Sequence, residues 1–322
     1  MDGKASADIP MPVKSKNKKL VYITTERKTM TKKISFLLAI IMVFCSCVAL
    51  SSCGTPVEEE PDGITSYLFD YHLSDDETYY VVTGYGVNTV TKSVIPDEYE
   101  GKPVKEIYHE AFANDANAKP YIQVMTLAST IEKIGFSAYY KCENLRTLNF
   151  NNGLKIIEDN AFGNCTSLTE AKLPEGLEFI GDFAFVSCKD LSTVVIPSTV
   201  KHIGSSAFTG TKYMNNAPVH NDNITFFFDT AKNAWVMLAN YDIVDANLPD
   251  NAIGIASGAF SSCDALTTVE IPAGVKYISK KAFNGCTSLT TVNYGGSVED
   301  FEKLVIEDGN DELINATWNF AK

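Results

Sequence analysis

The feature that most constrains this chain is an internal period of 23 residues. Alanine followed by an aromatic recurs at Ala111-Phe112, Ala138-Tyr139, Ala161-Phe162, Ala184-Phe185, Ala207-Phe208, Ala259-Phe260 and Ala282-Phe283. From the second pair to the fifth the step is always 23, and from Ala207 to Ala259 it is 52, one period plus a 29-residue insertion. Two further columns keep the register: Cys142, Cys165, Cys188, Cys263 and Cys286 fall four after the Ala, and Leu145, Leu168, Leu191, Leu266 and Leu289 seven after. A period in this range with recurring Leu positions specifies a leucine-rich solenoid, whose single repeat has no closed core and buries its apolar side chains only against its neighbours. The expected fold class is therefore α/β: a leucine-rich-repeat solenoid of 23-residue β/turn/short-helix units, capped at both ends and carrying one β-hairpin insertion.

One unit shows how the pattern works. Around Val194 and Ile196 the alternation is that of a strand with one buried face, and Pro197 stops it because proline has no N–H to give a ladder. Val200 to Gly204 supplies a second short extended piece, and Ser206-Ala207-Phe208 predicts a tight helical turn with Ser206 as its cap. Upstream, Thr78 to Gly86 followed by Thr89-Val90-Thr91 predicts a hairpin leading into the first unit. Downstream, Ser297 with Asp300 reads as a capping box, and Phe301, Leu304 and Val305 form an apolar helical face that closes the last repeat. The insertion, Lys212 to about Asp245, holds Ile224 to Phe228 and Trp235 to Ala239, which predicts a hairpin projecting from the solenoid. The repeat domain is assigned to residues 64–322, with an N-terminal cap at 64–93, repeats at 94–292 and a C-terminal cap at 293–322.

The unit Ile-Pro-x2-Val-x2-Ile-Gly-x3-Ala-Phe-x2-Cys-x2-Leu, best seen in residues 172–194, 195–211 and 270–292, resembles the BspA-like leucine-rich repeat of bacterial surface proteins. The opening Pro96-Asp97-Glu98-Tyr99-Glu100-Gly101-Lys102-Pro103-Val104, and the closing Tyr294-Gly295-Gly296 with Asn315-Ala316-Thr317, are similar to that family's terminal units; the resemblance covers about residues 65–320. Ala128 and Asn151 depart from it at the Pro position, and Asp115 and Thr211 at the Cys position. The resemblance implies adhesion to proteins of a host or a neighbouring cell.

Ahead of the repeats, Thr31-Lys32-Lys33, the apolar run Ile34 to Leu50 and Leu50-Ser51-Ser52-Cys53-Gly54 read as a signal peptide over residues 30–52. The run is short of a span of about 20 residues. Leu-Ser-Ser-Cys-Gly resembles the bacterial lipoprotein lipobox, which makes Cys53 the lipidation site of an exported protein anchored to the membrane and exposed at the cell surface. Residues 1–29 are read as lying upstream of a start at Met30, and residues 53–63 as an acidic tether. Before residue 53 there are nine basic and three acidic residues; the remaining 18 basic and 37 acidic residues carry −19, which disfavours nucleic acid as a partner.

Chemistry has little support. None of the four histidines stands in a His-Glu-x2-His motif, no Gly-x-Ser-x-Gly elbow or phosphate loop occurs, and neither catalytic residue, metal nor cofactor is expected. Cysteines 23 apart lack metal-ligand spacing; stacking at about 4.8 Å leaves a disulfide geometrically open, but five is an odd number and Thr211 takes one place, so a column of small buried side chains is expected. His202, in a column with Lys133, Ile156, Phe179 and Tyr277, is expected at the surface, and Glu307 to Glu312 as a solvated turn. What remains is the open sheet, whose outward positions are Thr147, Asn149, Glu170, Lys172, Thr193, Val195, Thr268, Glu270, Thr291 and Asn293. These form the candidate binding face of a non-catalytic monomer recognising a protein ligand. The alternatives are a carbohydrate-binding accessory protein, using Phe226, Phe227, Phe228 and Trp235, and a non-adhesive structural surface protein.

Overall fold

The structure is a computed structural model that describes residues 69–85, 91–113, 122–220 and 223–321, all within a compact unit spanning 60–322. Cys53, the signal peptide, the tether, Thr89-Val90 and Asp115 lie outside the described residues. Each repeat is one turn of a β-solenoid with two laddered sides and a third side made of turns.

The first side carries the strand that ends at Ile-Pro. Its strands pair in parallel and in register at steps of one repeat, as Glu170–Lys172 does with Thr193–Val195, with the middle residue buried and the outer two directed outward. The second side stacks two-residue strands, Lys133–Ile134, Ile156–Ile157, Phe179–Ile180 and His202–Ile203, with the second residue of each, Ile134, Ile157, Ile180 and Ile203, buried. The Gly that follows is required by close approach, since a Cβ on Gly204 would overlap the Asp182 backbone. Where Asn151 replaces Pro, its side-chain amide donates to the Ala128 and Ile131 carbonyls and its oxygen accepts from Gly153 N, so the corner is held by side-chain bonds instead of a fixed φ.

The third side differs from expectation. The Ala-aromatic segment is a series of tight turns, and among the described residues α-helix is confined to Lys212–Asn215, Val298–Phe301 and Asp311–Asn315. Ser206 is left-handed (φ 54°), as are Ser137, Asn160 and Phe183 at the same place in their repeats. The aromatic N–H also points sideways: Tyr139 N donates to Ala161 O, Phe162 N to Ala184 O and Phe185 N to Ala207 O, at 2.8, 2.8 and 2.7 Å. A donor committed to the next repeat is unavailable to a helical i→i−4 bond.

Inside, Phe112, Tyr139, Phe162, Phe185 and Phe208 stack at centroid separations of 4.7 to 5.3 Å. The five body cysteines are free and buried; Cys165, Cys188 and Cys286 donate to carbonyls of the preceding repeat at 3.2, 3.1 and 3.1 Å. Burial pushes the Cys263 and Cys286 thiols up to about 11 and about 12, and that of Cys165 well above its ordinary value. Thr211, in the same column, donates to Phe208 O at 2.7 Å and accepts from Met214 N, capping the Lys212–Asn215 helix that opens the insertion.

The ends are also rearranged. Tyr80–Tyr85 forms a hairpin with the preceding Phe69–Leu73 and pairs in parallel with Lys102–Ile107 on its other edge; the hairpin turn is held by Ser74 and Asp76, whose side chains accept from Thr78 N and Tyr79 N. At the other end the Ser297–Asp300 capping box is present, but its helix is one turn long, and Phe301 and Leu304 are partly buried while Val305 is 48% exposed. The acidic turn shares the closure with Phe301 and Leu304, which pack against the second core. Asn310, fully buried, accepts from Phe283 N and donates to Ser279 O and Glu307 O, while Glu312 accepts from Gly285 N and Asp308 O from Lys281 N. These oxygens stand where the next repeat's carbonyls would be, so the stretch is not the solvated turn its composition predicts.

Candidate functional site

The outward face is built from the Ile-Pro strands, and its residues divide among three ladders. Thr147 and Asn149 belong to a ladder of Lys92–Val94, Val124–Thr126 and Thr147–Asn149; Glu170, Lys172, Thr193 and Val195 form a second; Thr268, Glu270, Thr291 and Asn293 sit in a third of Asp245–Asn247, Thr268–Ile271, Thr291–Tyr294 and Thr317–Phe320. Asn149, Lys172, Thr193, Val195 and Glu270 are exposed, and Thr147, Glu170, Thr268, Thr291 and Asn293 half-buried. The main-chain pairing along the face is therefore interrupted between Thr147–Asn149 and Glu170–Lys172 and again after Thr193–Val195. The break after Thr193–Val195 is made by the insertion, whose Asp229 bridges Ile196 and whose Thr230 N bonds Ile196 O at 2.8 Å.

Within each ladder the polar side chains bond along the stack. Asn149 donates to Thr126 Oγ1 at 2.9 Å, Asn293 to Glu270, and Asn319 to Asn293 Oδ1 at 2.7 Å. Lys172 pairs with Glu170 at 3.0 Å. The grid extends to Asp245, Asn247, Thr317 and Asn319, four positions that the sequence reading left out. A signal for two of them existed: Asp245-Ala246-Asn247-Leu248-Pro249 repeats the Thr193 to Pro197 pattern 52 residues on.

The insertion does not project. Ile224–Phe228 and Ala234–Ala239 form an antiparallel hairpin, but Ala234–Ala239 pairs in parallel with Ala252–Ile255 and so takes a place in the solenoid wall. Phe227 and Trp235 are each 1% exposed, Phe226 is half-buried and Phe228 exposed; the Trp235 ring lies where a Cβ on Gly254 would be. An indole so placed cannot stack on a sugar, so of the four aromatics only Phe226 and Phe228 stay accessible, their rings 5.2 Å apart.

His202 is likewise buried, not at the surface. Ser257 N bonds Ile203 O at 2.8 Å, bringing the downstream repeats against this strand; the ring stacks on Phe179 at 4.4 Å, and both Glu307 carboxylate oxygens lie 3.0 Å from Nδ1. Among the described residues, no group of three or more His, Cys, Asp or Glu side chains converges as a metal site.

Stacked Ile strands, a laddered open face and repeat-to-repeat burial define a leucine-rich-repeat solenoid. The chain belongs to the BspA-type leucine-rich-repeat family: that family's repeat region matches residues 89–231 and 236–314, with six copies. Solved structures to which the chain is similar include a leucine-rich-repeat protein of T. pallidum, 23% identical over 79% of this chain and 95% of that one (TM-score 0.38). A leucine-rich cell surface protein of Faecalibacterium prausnitzii A2-165 is 18% identical over 78% and 99% (TM-score 0.37). The pneumococcal vaccine antigen PcpA is 18% identical over 73% and 82% (TM-score 0.41). No curated protein matches the chain.

Proposed function

We propose that this chain is an exported, lipid-anchored surface protein that recognises another protein through its face ladders and carries out no chemistry. The observation that carries the reading is the outward grid, two outward positions per strand, most of them polar, repeated on ladder after ladder, an open surface suited to covering a macromolecule rather than enclosing a small substrate. Residues 30–52 act as the signal peptide, Cys53 as the lipidated first residue of the exported form, and residues 53–63 as the tether that lifts the repeats from the membrane. Adhesion to a host or neighbouring-cell protein fits this arrangement, as does a monomer.

The test places a photo-activatable residue at Thr147 or Thr291 of the full chain on intact cells, with Phe228 as the comparison site. A protein adduct formed from either ladder position supports the reading. Adducts from Phe228 alone would make the insertion the recognition element and overturn it. Anchoring is checked separately: Cys53→Ala should move the protein from the membrane fraction to the medium, and unchanged fractionation with no lipid found by mass spectrometry would remove the anchor.

A further inference from the structure

The strand Asp245–Asn247 is the edge of the downstream face ladder: it pairs with Thr268–Ile271 on one side and, among the described residues, with no strand on the other. Thr268 N bonds Val244 O, and Leu248 N bonds Glu270 O, so residues 244, 246 and 248 turn their main-chain groups towards the ladder. By strand alternation, those of Asp245 and Asn247 face the open side. Other strand edges at the insertion are treated differently. The edge of Thr193–Val195 is covered by Tyr213 N on Leu191 O and Thr230 N on Ile196 O, both at 2.8 Å. An uncovered edge is a template for an added strand.

Charge selects the occupant. Residues 241–322 hold 12 Asp and Glu against 5 Lys, net −7, whereas residues 122–211 hold 9 acidic against 7 basic residues, net −2. Of the nine carboxylates in residues 122–211, five are ion-paired: Glu132 with Lys105 and Lys155, Glu158 with Lys133, Glu170 with Lys172, Glu178 with Lys201 and Asp190 with Lys212. Around the open edge, Asp242, Asp245, Asp264 and Glu270 have no cation within ion-pair distance among the described residues. Beside them stand exposed apolar side chains, Tyr241 at 68%, Val244 at 51% and Leu238 at 42%. A strand of like charge would be repelled; one bearing cations gains the carboxylates and an aromatic face for cation–π contact.

We propose that this edge takes up an extended Lys- or Arg-bearing protein segment as a fifth strand, its main chain bonding Asp245 and Asn247, its cations set over Asp242, Asp245 and Glu270, and one cation against Tyr241. The inference rests on the protein-recognition reading and assigns it a site and a partner chemistry.

The probe is a ten-residue alternating Lys-Val peptide, followed by fluorescence anisotropy on the full chain in detergent. Two copies of it are N-methylated on alternate residues, one on each strand edge, and a Glu-Val peptide and spermine serve as comparisons. Expected are saturable binding at least tenfold tighter than spermine, no binding of Glu-Val, loss of at least tenfold on one N-methylated copy but not the other, and a similar loss in D242N/D245N at unchanged Tm. Equal binding by the parent and both methylated copies, affinity equal to spermine's, or an unaffected D242N/D245N variant would each overturn the proposal. No Lys-Val binding, with photo-adducts still formed from Thr147 or Thr291 on cells, would end this inference alone; loss of both would end the recognition reading too.

Discussion

Phe185 lies between the rings of Phe162 and Phe208, 5.0 and 5.3 Å away, with none of its surface exposed. Removing it empties a site whose walls are fixed by hydrogen bonds between repeats, so they cannot collapse inward. Phe185→Ala should cost about 3 to 5 kcal/mol; denaturant unfolding that registers less than about 1 kcal/mol would mean the column does not support the fold. The cysteine column makes a second residue-scale prediction. A thiol pushed up to about 11 or 12 is almost wholly protonated at neutral pH, and attack on maleimide needs the thiolate as well as access. In the exported form with Cys53 lipidated, the native protein should react slowly, and the denatured protein should take up five equivalents without reductant; one or three would reveal bridges. These inward columns were legible because every repeat places the same small or aromatic side chain against the same neighbour. His202 was not. Its burial comes from Glu307, 105 residues away, and from Ser257 beyond the insertion, partners that no local pattern discloses.

At the scale of elements, the two misread pieces share a cause. The Ala-Phe turn resembles the start of a helix when one repeat is read alone, but the N–H of the aromatic and that of the residue before the Ala bond to the next repeat, as Phe185 N does to Ala207 O and Phe183 N to Ser205 O. The insertion looked like an appendage because its strands were read for one apolar face, whereas Trp235-Val236-Met237-Leu238-Ala239 is a continuous apolar run, the mark of a strand buried on both sides. The C-terminal closure combines apolar contacts of Phe301 and Leu304 with a set of oxygens placed on the last repeat's donors. Asn310 is its centre, fully buried and engaged in three hydrogen bonds. Asn310→Ala removes the acceptor of the buried Phe283 N–H and one donor from each of the Ser279 and Glu307 carbonyls, Ser279 O keeping Ala282 N, and should destabilise by about 1 to 3 kcal/mol. Hydrogen exchange should rise first at Lys281, Phe283 and Gly285; protection unchanged at all three would show that the acidic turn does not close the array.

Across the whole molecule the buried side chains separate into two cores, one running from Phe69 to Phe208 and the other from Ala246 to Leu313, and the hairpin contributes to both. Phe227, Trp235 and Met237 pack into the first, while Ile224, Val236 and Ala239 pack into the second. A strand that alternates between two cores couples them, much as an interface between neighbouring repeats couples those repeats in a linear array. With the coupling intact, the body should unfold in one cooperative step. Trp235→Ala removes the largest fully buried side chain of the junction, beside Gly254 and stacked in parallel with Tyr277 at 6.2 Å, while leaving Val236 seated in the second core. The expected result is a loss of about 3 to 5 kcal/mol from the upstream core, resolved as two calorimetric transitions in place of one. A single transition shifted downward, coincident by fluorescence and circular dichroism, would mean that the two cores are joined by more than the hairpin, through contacts such as the bond from Ser257 N to Ile203 O and the His202–Glu307 pair.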